Sequence, residues 1–180
     1  MALWGGRFSR DTDRTVAAFS ASVSYDQRLY AHDIAGSIAH VTMLAEQGII
    51  PEADATAIRE ELARIREELD RGEFPLREDL EDIHMNIESA LIDRLGDVGG
   101  RVHTGRSRND QIATDERLYL REECDRLAEL LRDMQRALVA LADSYSDAVL
   151  PGLTHLQNAQ PVLFAHHLLA YVEMLERDRE

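Results

Sequence analysis

Residues 120–145, LREECDRLAELLRDMQRALVALADSY, decide how this chain is read. Leu120, Cys124, Leu127, Leu131, Met134, Leu138, Leu141 and Tyr145 recur at steps of 4-3-4-3-4-3-4, the spacing of a coiled-coil-like seam. The segment from Ser107 to about Ala148 reads as one helix, roughly 60 Å long at about 1.5 Å per residue. Helices of this length normally pack in a bundle with equally long partners. Pro151-Gly152 ends the pattern, and a further helix is expected from Pro161 through Phe164, Leu168, Tyr171 and Leu175. That pattern meets Glu180 with no stop signal, so a longer protein is expected. One partial helix cannot cover the seam, so the segment should self-associate.

Upstream the helices are shorter and better punctuated. A short one is expected over 12–21, opening after Asp11 and broken by Ser22-Val23-Ser24-Tyr25. A second runs from Asp26 to Gln47, with Tyr30, Ile34, Val41 and Leu44 near one face and Gly48 as its stop. Pro51 suits the first position of a third, which carries Ile58, Leu62, Ile65 and Leu69 inward and ends at Gly72. A fourth spans about 81–95 with Ile83, Ile87, Ala90 and Leu91 inward, and Gly96 stops it. Alternating strand patterns are almost absent. The expected fold is all-α: a small N-terminal helical domain over 1–112, then the start of a long-helix bundle over 113–180.

Composition narrows the function. The 180 residues are 44% hydrophobic, enough for a core, and carry a net charge of −14. That charge argues against nucleic acid or an anionic membrane as the main partner, though not against a small anion in a locally basic pocket. One cysteine, Cys124, permits no internal disulfide and no cysteine-based zinc site; its place in the seam reads as core. The N-terminus has no apolar signal region and no apolar run approaches a membrane span, so a cytoplasmic protein is expected.

Three stretches carry candidate chemistry. Val102-His103-Thr104-Gly105-Arg106-Ser107-Arg108-Asn109-Asp110-Gln111 follows Gly99-Gly100 and precedes the long helix. It reads either as a capped helix start with surface ion pairs or as an anion site. The anion site would combine helix N-terminal N–H groups with two guanidinium forks. Gly152-Leu153-Thr154-His155-Leu156-Gln157-Asn158-Ala159-Gln160-Pro161 reads as a polar loop, and His155 is its one ionisable group. It is either a connector whose polar groups cap helices or a general acid–base site. In Glu81-Asp82-Ile83-His84-Met85-Asn86-Ile87-Glu88, His84 and Glu88 share a helix face. No second histidine stands at ligand spacing, so a surface ion pair fits better than a metal. His166 and His167 should point apart, one near the core and one outward. His32 and His40 read as partly buried helix residues. No Gly-x-Gly-x-x-Gly, P-loop or Gly-x-Ser-x-Gly motif is present.

Taken together, His103-Thr104-Gly105-Arg106-Ser107-Arg108-Asn109-Asp110-Gln111 resembles the first signature of the argininosuccinate lyases, within the fumarase/aspartase superfamily. Gly152-Leu153-Thr154-His155-Leu156-Gln157 with Ala159-Gln160-Pro161 resembles their second. Leu3-Trp4-Gly5-Gly6-Arg7-Phe8, Phe19-Ser20-Ala21-Ser22 and Glu81-Asp82-Ile83-His84 match as well. The resemblance implies reversible β-elimination of argininosuccinate to arginine and fumarate, in arginine biosynthesis, with no metal and no organic cofactor. It implies that His155 is catalytic. It places Ser22, Ser107, Arg108, Asn109 and Thr154 on the substrate, with Asp82, His84 and Gln157 in support. It also implies a homotetramer whose active sites draw on three subunits. The family's third signature, a mobile loop bearing a catalytic serine, is absent here, so this chain alone should not turn over substrate. Two alternatives remain: a non-catalytic, crystallin-like helical oligomer of the same family, or a related lyase acting on adenylosuccinate, aspartate or malate.

Overall fold

The computed structural model describes residues 12–180, so the Leu3–Phe8 motif lies outside the described residues. The chain divides into two compact units, one ending at Tyr119 and the other beginning at Leu120.

The first unit is helical. Helix α1 (Arg14–Ser20) is capped by Asp13, whose side chain accepts from the Thr15 N–H. Helix α2 (Val23–Asp26) and a single 3-10 turn lead into α3 (Tyr30–Glu46). Helix α4 (Glu52–Asp70) follows, with Pro51 one position outside it rather than inside. Pro51 has extended backbone there, and so ends the loop instead of starting the helix. Helix α5 (Ile83–Leu95) opens on Asp82, which accepts from the Met85 N–H at 2.7 Å.

Apolar stripes at helical spacing meet in one core: Ile34, Val41 and Leu44 from α3, Ile58, Leu62 and Ile65 from α4, and Ile83, Ile87 and Leu91 from α5. Burying each such side chain contributes about 1.5–3 kcal/mol. The short helix α6 (Asp97–Gly100) packs back on α5. It does so through Gly99, where a Cβ would stand 2.3 Å from the Leu91 carbonyl oxygen. A 3-10 turn over Arg101–His103 then delivers the chain to helix α7 (Arg108–Ser144).

The 37 residues of α7 span about 55 Å. In the second unit its C-terminal part is followed by strands β1 (Val149–Thr154) and β2 (Gln157–Leu163) and by helix α8 (Phe164–Arg179). Gln135 Nε2 donates to the Val172 carbonyl at 3.1 Å and to Glu176 at 3.0 Å, and Tyr145 meets Phe164 edge-on. Much of the apolar seam faces outward within this chain: Leu120, Leu127, Met134, Leu141 and Tyr145 are exposed. No helix of the described residues is long and apolar enough to cross a membrane.

Four expectations are corrected. The polar stretch 152–161 is an antiparallel hairpin with Thr154 opposite Gln157, not a loop. Pro161 lies inside β2 opposite Pro151, a pairing open only to a ribbon whose strands are both edges, and α8 begins at Phe164. Cys124 is exposed rather than core. His166 and His167 are both exposed, and His167 stacks edge-on against Tyr171.

Candidate functional site

The turn 104–107 and the start of α7 form a tightly specified piece of chain. Gly105 takes φ +73°, a conformation that a Cβ would strain. Ser107 caps α7: its Oγ accepts from the Asn109 N–H at 3.2 Å, and Asp110 reaches back to the Ser107 N–H at 3.1 Å. The pair is a capping box, with aspartate where glutamate is usual. Its carboxylate occupies part of the N-terminal field that the sequence reading reserved for a ligand.

Side chains then alternate. Ser107 and Asn109 are exposed, whereas Arg106 and Arg108 are half-buried and turned inward. Arg106 Nη2 donates to Ser37 Oγ at 2.8 Å, and burial pulls its guanidinium below the usual arginine range. Arg108 donates to Glu88 at 2.5 Å and to Gln111 Oε1 at 2.6 Å, leaving its side chain 26% exposed. His103 Nδ1 stands 3.2 Å from the same Glu88 oxygen. Two of the five N–H groups of Arg108 are therefore spent inside the protein.

One face of α3 receives this turn. Asp33, Ser37 and His40, at helical steps of 4 and 3, hold three of its residues. Gln111 Nε2 donates to Asp33, Arg106 to Ser37, and His40 Nε2 contacts the Thr104 carbonyl oxygen at 2.8 Å. His40 was read from sequence as a partly buried helix residue, and it is half-buried; Asp33 and Ser37 were not singled out. The signal was present as a polar stripe running beside Ile34, Val41 and Leu44 on the same helix.

His84 is not on the surface. It is 2% exposed and pairs with Asp33 at 3.1 Å and Asp115 at 3.4 Å, each 1% exposed. Glu88, its expected partner, instead serves Arg108 and His103. Burial alone would lower the His84 pKa, but hydrogen bonding and charge from Asp33 outweigh it and raise it. Burial likewise opposes ionisation of Asp33, yet His84, Gln111 and Asp115 hold its pKa below the ordinary value. Asp115 takes the opposite course: burial and the Asp33 charge push it up to about 8. With Arg106 and His84 supplying positive charge, the carboxylates already have counterions, and no additional cation is needed for charge balance.

Ser22 is half-buried. Its Oγ donates to Asp26 at 2.5 Å, and its N–H donates to the Glu81 carbonyl at 2.8 Å. Asp26 in turn accepts from the Ile83 N–H at 3.1 Å. Glu81, at φ +69°, makes the bend that lets Asp82 cap α5. Ser22 and Asp82 thus sit at one join, and His84 is the second residue of α5.

Thr154, His155 and Gln157 belong to the second unit. His155 and Leu156 form the two-residue tip of the hairpin, both at positive φ, +50° and +61°. This is the requirement of a type I′ turn, normally met by Asn-Gly. A bulky Leu156 there is strained by about 1–2 kcal/mol. His155 and Leu156 are both exposed, the latter 92%. A strained tip presenting an imidazole is the kind of outlier that marks a working residue.

A family model described as lyase matches residues 6–180. Argininosuccinate lyase of Thioalkalivibrio sulfidiphilus is 56% identical over 176 residues, covering 98% of this chain and 38% of the relative. Argininosuccinate lyase of Acinetobacter baumannii is 58% identical over 178 residues, covering 99% of this chain and 37% of the relative. The chain thus spans less than two-fifths of the length of the curated relatives it matches. Among solved structures, an EDDS lyase variant with bound fumarate superposes with a TM-score of 0.72 at 30% identity, over 91% of this chain and 31% of that one. β-Carboxy-cis,cis-muconate cycloisomerase of Acinetobacter calcoaceticus gives 0.70 at 21% identity, over 93% and 39%, and so shares the fold.

Proposed function

This chain belongs to the lyase family, and on that premise we propose that it supplies part of the active site of an argininosuccinate lyase. The observation that carries the reading is identity of 55–58% to argininosuccinate lyases over 98–99% of the chain. Argininosuccinate is cleaved by β-elimination. A base takes the proton beside a carboxylate, the electron pair is held as an aci-carboxylate, and the C–N bond breaks. The guanidino nitrogen keeps its electron pair and takes up a proton, giving arginine and fumarate.

The developing dianion calls for fixed donors. In this reading Ser107 and Asn109 present the hydroxyl and amide that face outward from α7, and Arg108 adds the N–H groups not bound to Glu88 and Gln111. Ser22 and Thr154 bind other parts of the substrate. His155 carries a proton, as acceptor or donor, from a hairpin tip that holds it at an exposed position. Asp82, His84 and Gln157 support these groups. No metal or organic cofactor takes part. The working enzyme is a cytoplasmic homotetramer with its serine loop supplied from outside these residues. The outward seam of α7 is consistent with assembly, and the net charge of −14 with a small-molecule substrate rather than nucleic acid.

The test is to graft residues 1–180 in place of the matching segment of the Acinetobacter baumannii enzyme. The graft is then assayed on argininosuccinate, adenylosuccinate, aspartate and malate. Cleavage of argininosuccinate alone supports the proposal; preference for another of the four overturns it, and a folded graft inactive on all four favours the crystallin-like alternative.

A further inference from the structure

Behind the outward-facing signature residues lies a buried set of ionisable groups that the proposed chemistry does not use. Asp33 comes from α3, His84 from α5 and Asp115 from α7, and one polar side-chain atom of each lies within 4.8 Å of the other two. Asp33 Oδ2 and Asp115 Oδ2 are both buried and accept no hydrogen bond among the described residues. Two carboxylates this close cannot both ionise at modest cost, whereas one carboxyl proton gives each unpaired oxygen a partner. Space for the approach comes from Gly36, whose absent Cβ would stand 3.3 Å from Asp115 Oδ1.

We propose that Asp33, His84 and Asp115 share one proton between the two carboxylates and act together as positioning residues, locking the start of α7 and, through Gln111, the substrate-facing Arg108. The connection is continuous. Asp115 faces His84, His84 pairs with Asp33, Asp33 accepts from Gln111, and Gln111 accepts from Arg108, which is braced by Glu88. Arg106, from the turn, lies within reach of both carboxylate charges and leaves the set at a net +1: one carboxylate, one neutral carboxyl, an imidazolium and a guanidinium. Asp82, which caps α5, also bears on His84, and Arg108 and Asp110 on α7 bear on Arg106. The raised Asp115 and lowered Asp33 are the electrostatic counterpart of this geometry. The positioning role rests on the lyase reading; the shared proton does not.

Thermal unfolding of the 180-residue chain from pH 5 to 9 tests the shared proton, with Asp115→Asn and Asp33→Asn as variants. A carboxyl whose folded pKa is raised costs stability progressively between its unfolded and folded values. Asp115→Asn should therefore gain on the parent as pH rises toward about 8 and stop gaining above it, while Asp33→Asn should be less stable than the parent throughout. Equal loss in both variants with no pH trend overturns the proposal. The second arm places Asp115→Asn in the graft and follows kcat/KM against pH. The alkaline fall near pH 8 should move up by a unit or more; an unmoved limb overturns the positioning role. A graft that never cleaves argininosuccinate sinks the functional reading, and the unfolding arm still decides the shared proton.

Discussion

Arg106 and Ser37 are joined by a 2.8 Å hydrogen bond that ties the signature turn to the middle of α3. The guanidinium is half-buried, and its Nε has no hydrogen-bond partner among the described residues. The Ser37 hydroxyl is therefore a main acceptor for a partly desolvated cation, in a helix whose neighbours Ile34 and Val41 are fully buried. An arginine first read as an anion ligand works here as a fastener.

Removing that acceptor should cost more than removing the helix cap beside it. Ser37→Ala takes the hydrogen-bond acceptor from a half-buried guanidinium and should destabilise the chain by about 1–3 kcal/mol. Ser107→Ala, which loses an exposed cap, should cost about 1 kcal/mol. Urea denaturation of both variants checks the order.

The Gly99–Gly100 pair separates packing from propensity. Gly99→Ala drives a Cβ to 2.3 Å from the Leu91 carbonyl oxygen and should cost about 3 kcal/mol or more as α6 is pushed off α5. At Gly100 a Cβ meets nothing within 4 Å and the backbone is already helical, so Gly100→Ala should be neutral or stabilising by about 0.5 kcal/mol. Thermal melts of the two variants provide the comparison.

His84 provides a pH prediction of definite sign. Its folded pKa lies above the ordinary 6.5 because Asp33 outweighs burial. The stability it contributes is complete below about pH 6.5 and is lost as pH rises through the raised value. NMR titration of the histidine Cε1 protons should show the His84 imidazole titrating above 6.5, and Asp33→Asn should bring it down. A His84 that titrates at or below 6.5 contradicts the arrangement.

How much of this was legible in the sequence depended on the range of the interaction. The helices of the first unit follow from 3.6-residue periodicity, and Asp82 and Gly96 cap α5 as glycine and aspartate do anywhere. The hairpin 149–163 was not legible. Its tip is His155-Leu156 rather than Asn-Gly, its strands pair two prolines, and little of it is buried, so period-2 alternation never develops. The partners of His84 were hidden for a different reason. Asp33 and Asp115 lie 51 and 31 residues away in sequence, and only the packing of α3, α5 and α7 brings them together. The inward turn of Arg106 and Arg108 was invisible because it depends on Ser37, which no motif marks, and on Glu88, whose place on the face of His84 pointed to a different partner.

The hairpin tip makes substitutions there interpretable. Leu156→Gly should relieve the positive-φ strain and raise stability by about 1 kcal/mol, seen as a higher melting temperature. Asparagine accepts positive φ readily, so His155→Asn should leave the turn intact. Circular dichroism and melting of His155→Asn should match the parent closely.

Because that variant spares the fold, it gives the most direct measurement of the central claim: fumarate release from argininosuccinate by the graft of residues 1–180 onto the Acinetobacter baumannii enzyme, with and without His155→Asn. The account predicts fumarate release by the parent graft and a fall of at least about 100-fold in kcat for the variant, the size expected when a positioned acid–base group is lost. A parent graft that folds but releases no fumarate, or a variant that turns over as fast as its parent, would contradict it.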